Sequence, residues 1–325
     1  MSGGILVVAE HLRGEIAEIT YEMLGIGRKI ADALNIPCHS ALLGKEIAPL
    51  ASHLGMADSV LLLEHPQGSP PSPEMAASLL RALAERKQVS LVLIGGTNVS
   101  LGIGPKLSAR SRLPFVNFCK DLRVENGTVV VTSQLFGGKI LADLLLPGNR
   151  GIVSICPGSF PPDAGKSERT PPVEAIEIPV EAPKATFKRY LEPEAGDVDI
   201  TRQEILVAVG RGIQHADNLP LAEELARAMG GAVCASRPVI DQGWLPLTRQ
   251  VGKSGMVVKP KLYLALGVSG APEHQEGMKN APLVIAVNTD PKAPIFDVSH
   301  YGVCGDLFEI VPRLIEAIQA RKGGK

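Results

Sequence analysis

Aromatic side chains are scarce: Phe, Tyr and Trp make up 4% of the 325 residues, with a single Trp. Few platforms are left on which the bases of single-stranded nucleic acid could stack. An excess of either charge is also missing, since 33 Lys and Arg stand against 34 Asp and Glu for a net charge of -1. No overall basic field is available to hold nucleic acid or an anionic membrane. The five cysteines, Cys38, Cys119, Cys156, Cys234 and Cys304, form no CxxC pair and have no His at ligand spacing. A zinc site and a disulfide framework are disfavoured, and reduced thiols in a cytoplasm are expected. The opening Met1 to Glu10 lacks the basic region and apolar run of a secretory signal, and no apolar run of about 18 residues occurs. The expectation is a cytoplasmic protein that is not exported and has no nucleic-acid partner.

What the chain does have is Gly (34), Pro (26) and 45% hydrophobic residues, enough for sharp turns and for the cores of about two domains. Ile5 to Ala9, Val60 to Leu63, Leu91 to Ile94, Val129 to Val131 and Ile152 to Ile155 read as strands. Between them, Ile16, Ile19, Met23, Ile26, Ile30 and Leu34 recur at helical spacing, as do Met75, Leu79, Leu80 and Leu83. Strand and helix in alternation predict a mainly parallel sheet flanked by helices. The pattern fails from Pro157 to Pro193, where an edge strand at Ile176 to Val180 and a linker are expected. Ile205 to Val209 then opens a second unit with a helix at Leu219 to Met229 and strands at Ala232 to Ala235 and Leu262 to Val268. A helix at Pro272 to Met278, a strand at Leu283 to Asn288 and a last helix at Asp306 to Ile318 complete it. The fold class is α/β in two domains: residues 1–185, a linker at 186–203, and residues 204–325.

The corners after the strands of the second domain carry the chemistry. Gly210-Arg211-Gly212 combines a tight turn with a guanidinium at the carboxyl end of a strand, where open parallel sheets bind ligands. Ala235-Ser236-Arg237-Pro238 repeats the arrangement, and two such arginines aim at one crevice; each alone also reads as a surface ion-pair partner. Gln250-Val251-Gly252-Lys253-Ser254-Gly255 offers backbone N–H groups, an amide and a hydroxyl, suited to the carbonyls and nitrogens of a planar ring. It is not a phosphate-binding GxxxxGK[ST] loop, because no Gly stands at the required upstream position. Gly267-Val268-Ser269-Gly270-Ala271-Pro272-Glu273-His274 joins a strand end to a helix start, where amides and Ser269 suit phosphate, or where Ser269 is a cap and His274 a surface residue. Asn288-Thr289-Asp290-Pro291 and Asp306 end the series, as ribose or adenine ligands or as caps.

Together these strings resemble the FAD-binding α subunit of the electron transfer flavoproteins. The likeness spans nearly the whole chain and is densest from Gly210 to Pro312. Its most specific stretches are Arg211-Gly212, Ala235-Ser236-Arg237, Gln250 to Gly255, Gly267 to Ala271, Gly277-Met278-Lys279, and Asp290-Pro291-Lys292-Ala293-Pro294-Ile295-Phe296. The resemblance implies a C-terminal Rossmann-like FAD-binding domain and an N-terminal α/β domain that contacts a β subunit. By similarity, Arg211 and Asn288 lie along the phosphates and adenosine, with Asp306 near the adenosine end. Ser236 and Arg237 approach the flavin and pyrophosphate. Gln250, Val251, Gly252 and Ser254 line the isoalloxazine, and Ser269, Gly270 and His274 contact phosphate and ring. The sequence departs from the family pattern at Val209-Gly210, where two glycines are frequent, at Ser254, where Thr is common, and at Pro272-Glu273, where Ile-Gln is usual. Glu273 is therefore a carboxylate near the expected flavin.

The implied function is that of an electron carrier with no catalytic residues and no metal. It takes electrons from acyl-CoA dehydrogenase-type flavoproteins and passes them to a quinone reductase or another acceptor. One rival is the α subunit of a bifurcating electron transfer flavoprotein that uses NADH. Another is a nicotinamide-dependent oxidoreductase, for which the sequence lacks GxGxxG. A third is a nucleotide-binding regulatory or scaffold protein.

Overall fold

The first helical stripe becomes α1, Glu18–Leu34, which ends at Asn35 in the left-handed conformation (φ 52°) with its N–H turned back to the carbonyl of Ala31. Ile19, Met23, Ile26 and Ile30 bury their side chains in one core with Ile5, Val7 and Leu93 of the sheet. The opposite face of that sheet is covered by α2, Pro73–Arg86, through Met75, Leu79, Leu80 and Leu83. A shorter helix, α3, Ile103–Ser111, adds Ile103 and Leu107 to this second core. The computed structural model describes residues 3–65, 71–179, 185 and 198–323. The chain divides into two compact units, residues 1–190 and 191–325.

The first unit holds a nine-stranded sheet. Its strands are β1 Gly4–Ala9, β2 Cys38–Gly44, β3 Ser59–Glu64, β4 Val89–Gly95, β5 Phe115–Glu125, β6 Thr128–Leu135, β7 Ile140–Leu145, β8 Gly151–Ile155 and β9 Val173–Ala175. They lie in the order β9-β3-β2-β1-β4-β8-β5-β6-β7. Seven strands, from β9 to β5, run parallel. The parallel expectation stops at β6, which is antiparallel to both β5 and β7. The reason is local: Asn126 (φ 49°) and Gly127 (φ 77°) form a two-residue turn of the left-handed kind that joins antiparallel strands. The edge strand pairs earlier than expected, at β9, although Ile176 still donates its N–H to the carbonyl of Leu62. Val180 and residues 186–197 of the expected linker lie outside the described residues. Among the described residues, no helix is long and apolar enough to cross a membrane.

The second unit is a five-stranded, wholly parallel sheet of β10 Ile205–Val209, β11 Ala232–Ala235, β12 Leu262–Leu266, β13 Val284–Asn288 and β14 Tyr301–Cys304. The order β11-β10-β12-β13-β14 reverses direction between β10 and β12. At that point the connections leave for opposite faces of the sheet and open a crevice beyond the carboxyl ends of the strands. Helices α4 Leu219–Met229 and α7 Leu307–Gly323 cover one face; the short α5 Arg237–Asp241 and α6 Pro272–Gln275 stand at the crevice end. On the other face, Tyr263, Cys234, Val251, Met278 and Ile295 share a core.

At the reversal point the two crossing backbones touch. Gly212 donates its N–H to the carbonyl of Gly267 at 3.1 Å, and a Cβ on Gly212 would sit 2.6 Å from the Cα of Gly267. Gly230 ends α4 with φ 76° and nothing within 4 Å of its missing side chain. Two substitutions therefore separate backbone conformation from backbone contact. Gly230→Ala is expected to cost about 1 kcal/mol, the ordinary cost of a side chain at positive φ. Gly212→Ala must push two main chains apart and is expected to cost more than about 2 kcal/mol. Urea unfolding followed by the fluorescence of Trp244, the only Trp in the chain and part of the second unit, reads both. Equal losses would remove the packing explanation.

Candidate functional site

A cavity of about 620 Å³ opens at the reversal point and collects the corners after β10, β11, β12 and β13. Its volume lies within the range of small-molecule and cofactor pockets. Of the twelve residues expected to bind a cofactor, eleven line it: Arg211, Ser236, Arg237, Gln250, Val251, Gly252, Ser254, Ser269, Gly270, His274 and Asn288. Asp306 does not line it. Its carboxylate accepts the N–H of Phe308 at 2.9 Å and so starts α7, which is the capping reading of this position.

The cationic side is built from two corners. Arg211 is exposed at the turn after β10, and Arg237 is exposed at the start of α5, behind the buried Ser236. Arg237 Nε lies 3.4 Å from Asp241 Oδ2 with both side chains more than half exposed, so the pair contributes little and the guanidinium is free to exchange partners. Pro238 occupies the first turn of α5, where its missing N–H costs nothing.

The wall facing these cations is the 250–255 loop, held at both ends by main-chain hydrogen bonds. Val251 N–H reaches the carbonyl of Ala235 at 2.9 Å, and Lys253 N–H reaches that of Glu273 at 2.7 Å. The side-chain amide of Gln250, itself buried, donates to Ser254 Oγ at 3.0 Å. The hydroxyl proton of Ser254 is left free for a ligand acceptor. Sequence reasoning found this loop by composition; its docking against the corner after β12 is a tertiary event.

The helix expected over Pro272 to Met278 is a single turn, α6. Beyond it the chain tightens: Gly277 N–H reaches the carbonyl of His274, and a Cβ on Gly277 would collide with the backbone of Gly252. Ser269 is exposed and caps nothing here, while its carbonyl receives the N–H of Ile295. His274 is a buried wall residue, 6% exposed, rather than a surface residue. Its Nε2 lies 2.9 Å from the hydroxyl of Tyr263, and its Nδ1 is buried with no hydrogen-bond partner among the described residues. Burial pushes its pKa down to about 4, and the nearby Val251 backbone opposes this only in part, so the ring is neutral near pH 7. Glu273 is exposed at the rim. Asn288 shapes the last corner, donating to the carbonyl of Val268 at 2.9 Å and accepting the N–H of Asp290 at 3.0 Å.

Two residues of the site escaped the sequence reading. Asp241 follows Arg237 by one helical turn, a spacing visible in the sequence but common on surfaces. Tyr263 sits inside an apolar strand and reads as core; its one signal is a hydroxyl in a run otherwise without polar atoms. An elongated ligand with anionic groups toward Arg211 and Arg237, and a planar polar-edged ring along residues 250–254 and 269–274, matches the donors available.

The comparison with known proteins bears on the same residues. Residues 199–279 match the electron transfer flavoprotein FAD-binding domain, and residues 5–181 match the electron transfer flavoprotein domain. An electron transfer flavoprotein subunit alpha from Bacillus subtilis is 31% identical over 97% of both chains. An acryloyl-CoA reductase electron transfer subunit beta from Anaerotignum propionicum is 34% identical over 98% of this chain and 96% of its own. A subunit of lactate dehydrogenase (NAD(+),ferredoxin) from Acetobacterium woodii is 33% identical over 99% of this chain and 78% of its own.

The buried histidine sets a pH dependence. Below the usual pKa of 6.5 the unfolded chain binds a proton that the folded chain refuses until about pH 4. Stability contributed by the neutral ring is therefore full above about pH 6.5 and is lost as pH falls, by about 3 kcal/mol at most. Urea unfolding of the flavin-free chain between pH 7.5 and 4 should show this loss, and His274→Gln should flatten it. A variant with the same slope as the parent would place the proton uptake elsewhere.

Proposed function

The chain is an α-type subunit of the electron transfer flavoprotein family, and from that premise we propose that its second unit binds FAD and serves as a one-site electron carrier. The observation that carries this reading is the assembly of eleven expected positions, drawn from separate corners of the chain, around one cavity at the reversal point of the sheet. The residues fit the cofactor on independent grounds. Two guanidiniums match a pyrophosphate, the 250–255 loop offers donors to a ring edge, and the orphaned Nδ1 of His274 needs a partner that the described residues do not supply.

When bound, the flavin supplies the reversible uptake of electrons. The chain binds it, orients it and sets how readily it is reduced. Arg211 and Arg237 hold negative charge, and Arg237 near the ring favours the reduced, anionic forms. Ser254 and Ser269 fix the ring through their hydroxyls, the Val251–Gly252 backbone, whose N–H groups are engaged by Ala235 and Met256, lines it, and Asn288 shapes the corner on the adenosine side. Glu273 acts against reduction, by an amount limited by its exposure. Electrons come from acyl-CoA dehydrogenase-type flavoproteins, as in fatty acid β-oxidation, and leave to a quinone reductase or another acceptor.

The partner in this assembly is a β subunit. Strand β7 supports that reading: among the described residues it is an unpaired sheet edge, and Ile140, Leu141, Leu144 and Leu145 expose apolar side chains on both of its faces. An apolar edge of this kind is a site for chain-to-chain pairing unless covered. A second reading, the α subunit of a bifurcating assembly that uses NADH, is favoured by the relative named for NAD(+) and ferredoxin. The two readings part on whether NADH reduces a second flavin in the assembled pair.

Co-purification with the β subunit in excess FAD tests the main reading. A yellow preparation that retains FAD through gel filtration is expected, and Arg211→Ala should weaken the affinity roughly ten- to a hundredfold. A colourless preparation would end the proposal. Spectroelectrochemical titration of Glu273→Gln should give a modest rise in the flavin potential; no change would show that Glu273 is fully screened.

A further inference from the structure

Behind the cavity wall stands a buried phenol that the proposed electron-carrying function does not yet use. We propose that Tyr263 is a positioning residue: its hydroxyl donates to Nε2 of His274, holds the ring proton on Nδ1, and so makes that N–H the donor offered to an acceptor atom of the bound flavin. The inference rests on the FAD reading for its ligand, and on this chain alone for the tautomer.

The geometry leaves His274 one anchored nitrogen and one orphan. Tyr263 is fully buried on β12 and its hydroxyl meets Nε2 at 2.9 Å. Nδ1 has no hydrogen-bond partner although the ring walls the cavity. A neutral imidazole carries one proton, so the tautomer turns on the direction of the Tyr263 bond. If Tyr263 donates, an O–H meets an imidazole nitrogen, a strong donor with a strong acceptor. If it accepts from an Nε2–H, its own proton has to turn to the Cys234 thiol beside it, a weak acceptor. The first arrangement is the stronger pair.

The surroundings keep all three groups neutral. Burial raises the pKa of Tyr263 and pushes that of Cys234 up to about 12. His274 is neutral for the same reason. Nδ1 is closed off from solvent in the ligand-free chain, so a ligand meets it only if the wall beside it shifts. A buried N–H without a partner is costly, so a carbonyl oxygen or ring nitrogen arriving from the cavity gains what the fold withholds.

The test uses the assembled αβ protein with 15N-labelled histidine, with and without FAD, and the variant Tyr263→Phe. Two-bond nitrogen–proton correlation spectra at pH 7.5 should show wild-type His274 protonated on Nδ1. In the variant the proton should move at least partly to Nε2, the FAD dissociation constant should rise roughly three- to tenfold, and the flavin potential should fall. A proton on Nε2 in the wild type, or a variant with unchanged tautomer or unchanged potential, overturns the inference. The wild-type spectrum decides the tautomer even if the variant does not fold. A preparation that binds no FAD overturns the functional reading, while the flavin-free spectrum still decides what Tyr263 does.

Discussion

The contact between the backbones of Gly212 and Gly267 is the constraint on which the second unit depends. Their strands, β10 and β12, are neighbours, and the turns leaving them cross within hydrogen-bonding distance at 3.1 Å. A Cβ on either glycine would separate them. Because the turns are pressed together, the crevice of an open parallel sheet becomes a walled cavity rather than a shallow notch. Arg211 and Ser269 stand beside the crossing and inherit their positions from it.

A second constraint is polar. The face of the sheet that carries Cys234, Tyr263 and the His274 ring is buried, and any charge there would have to be paired. Desolvation keeps each group neutral, so a chain of neutral hydrogen-bonding groups runs from the core to the cavity wall. Charge is instead placed at the exposed rim, on Arg211, Arg237, Asp241 and Glu273, where water moderates it. The cavity between these zones has directed hydrogen-bonding groups on one side and screened charges on the other.

The first unit shows a different solution to burial. Glu22 on α1 is 3% exposed, and its carboxylate accepts the N–H groups of Gly158, Ser159 and Phe160. Desolvation raises its pKa while these three bonds oppose the rise, so the side chain ties the turn after β8 to the helix. At the far end of the same sheet, β7 leaves apolar residues uncovered on both faces. Among the described residues the unit is thus closed around α1 and open at its antiparallel edge.

The sequence by itself determined whatever rests on periodicity and on residue chemistry. The stripes of α1 and α2, the buried runs of β1, β4, β8 and β10, and the strings at Arg211, Ser236–Arg237, Gln250–Gly255 and Gly267–His274 were all legible, because spacing and side-chain type act over a few residues. Strand β2 was not, since His39 and Ser40 interrupt its apolar run and are accommodated only by partners distant in sequence, at Ser59 and Val7. The antiparallel turn between β5 and β6 has a local cause in Asn126-Gly127, which apolar periodicity does not register; tertiary structure decided that Pro272 to Met278 shortens to one helical turn. It also assigned Asp306 to capping α7 and set Tyr263 against His274. Those outcomes depend on which surfaces meet across the fold, and no local window of sequence contains both sides of such a contact.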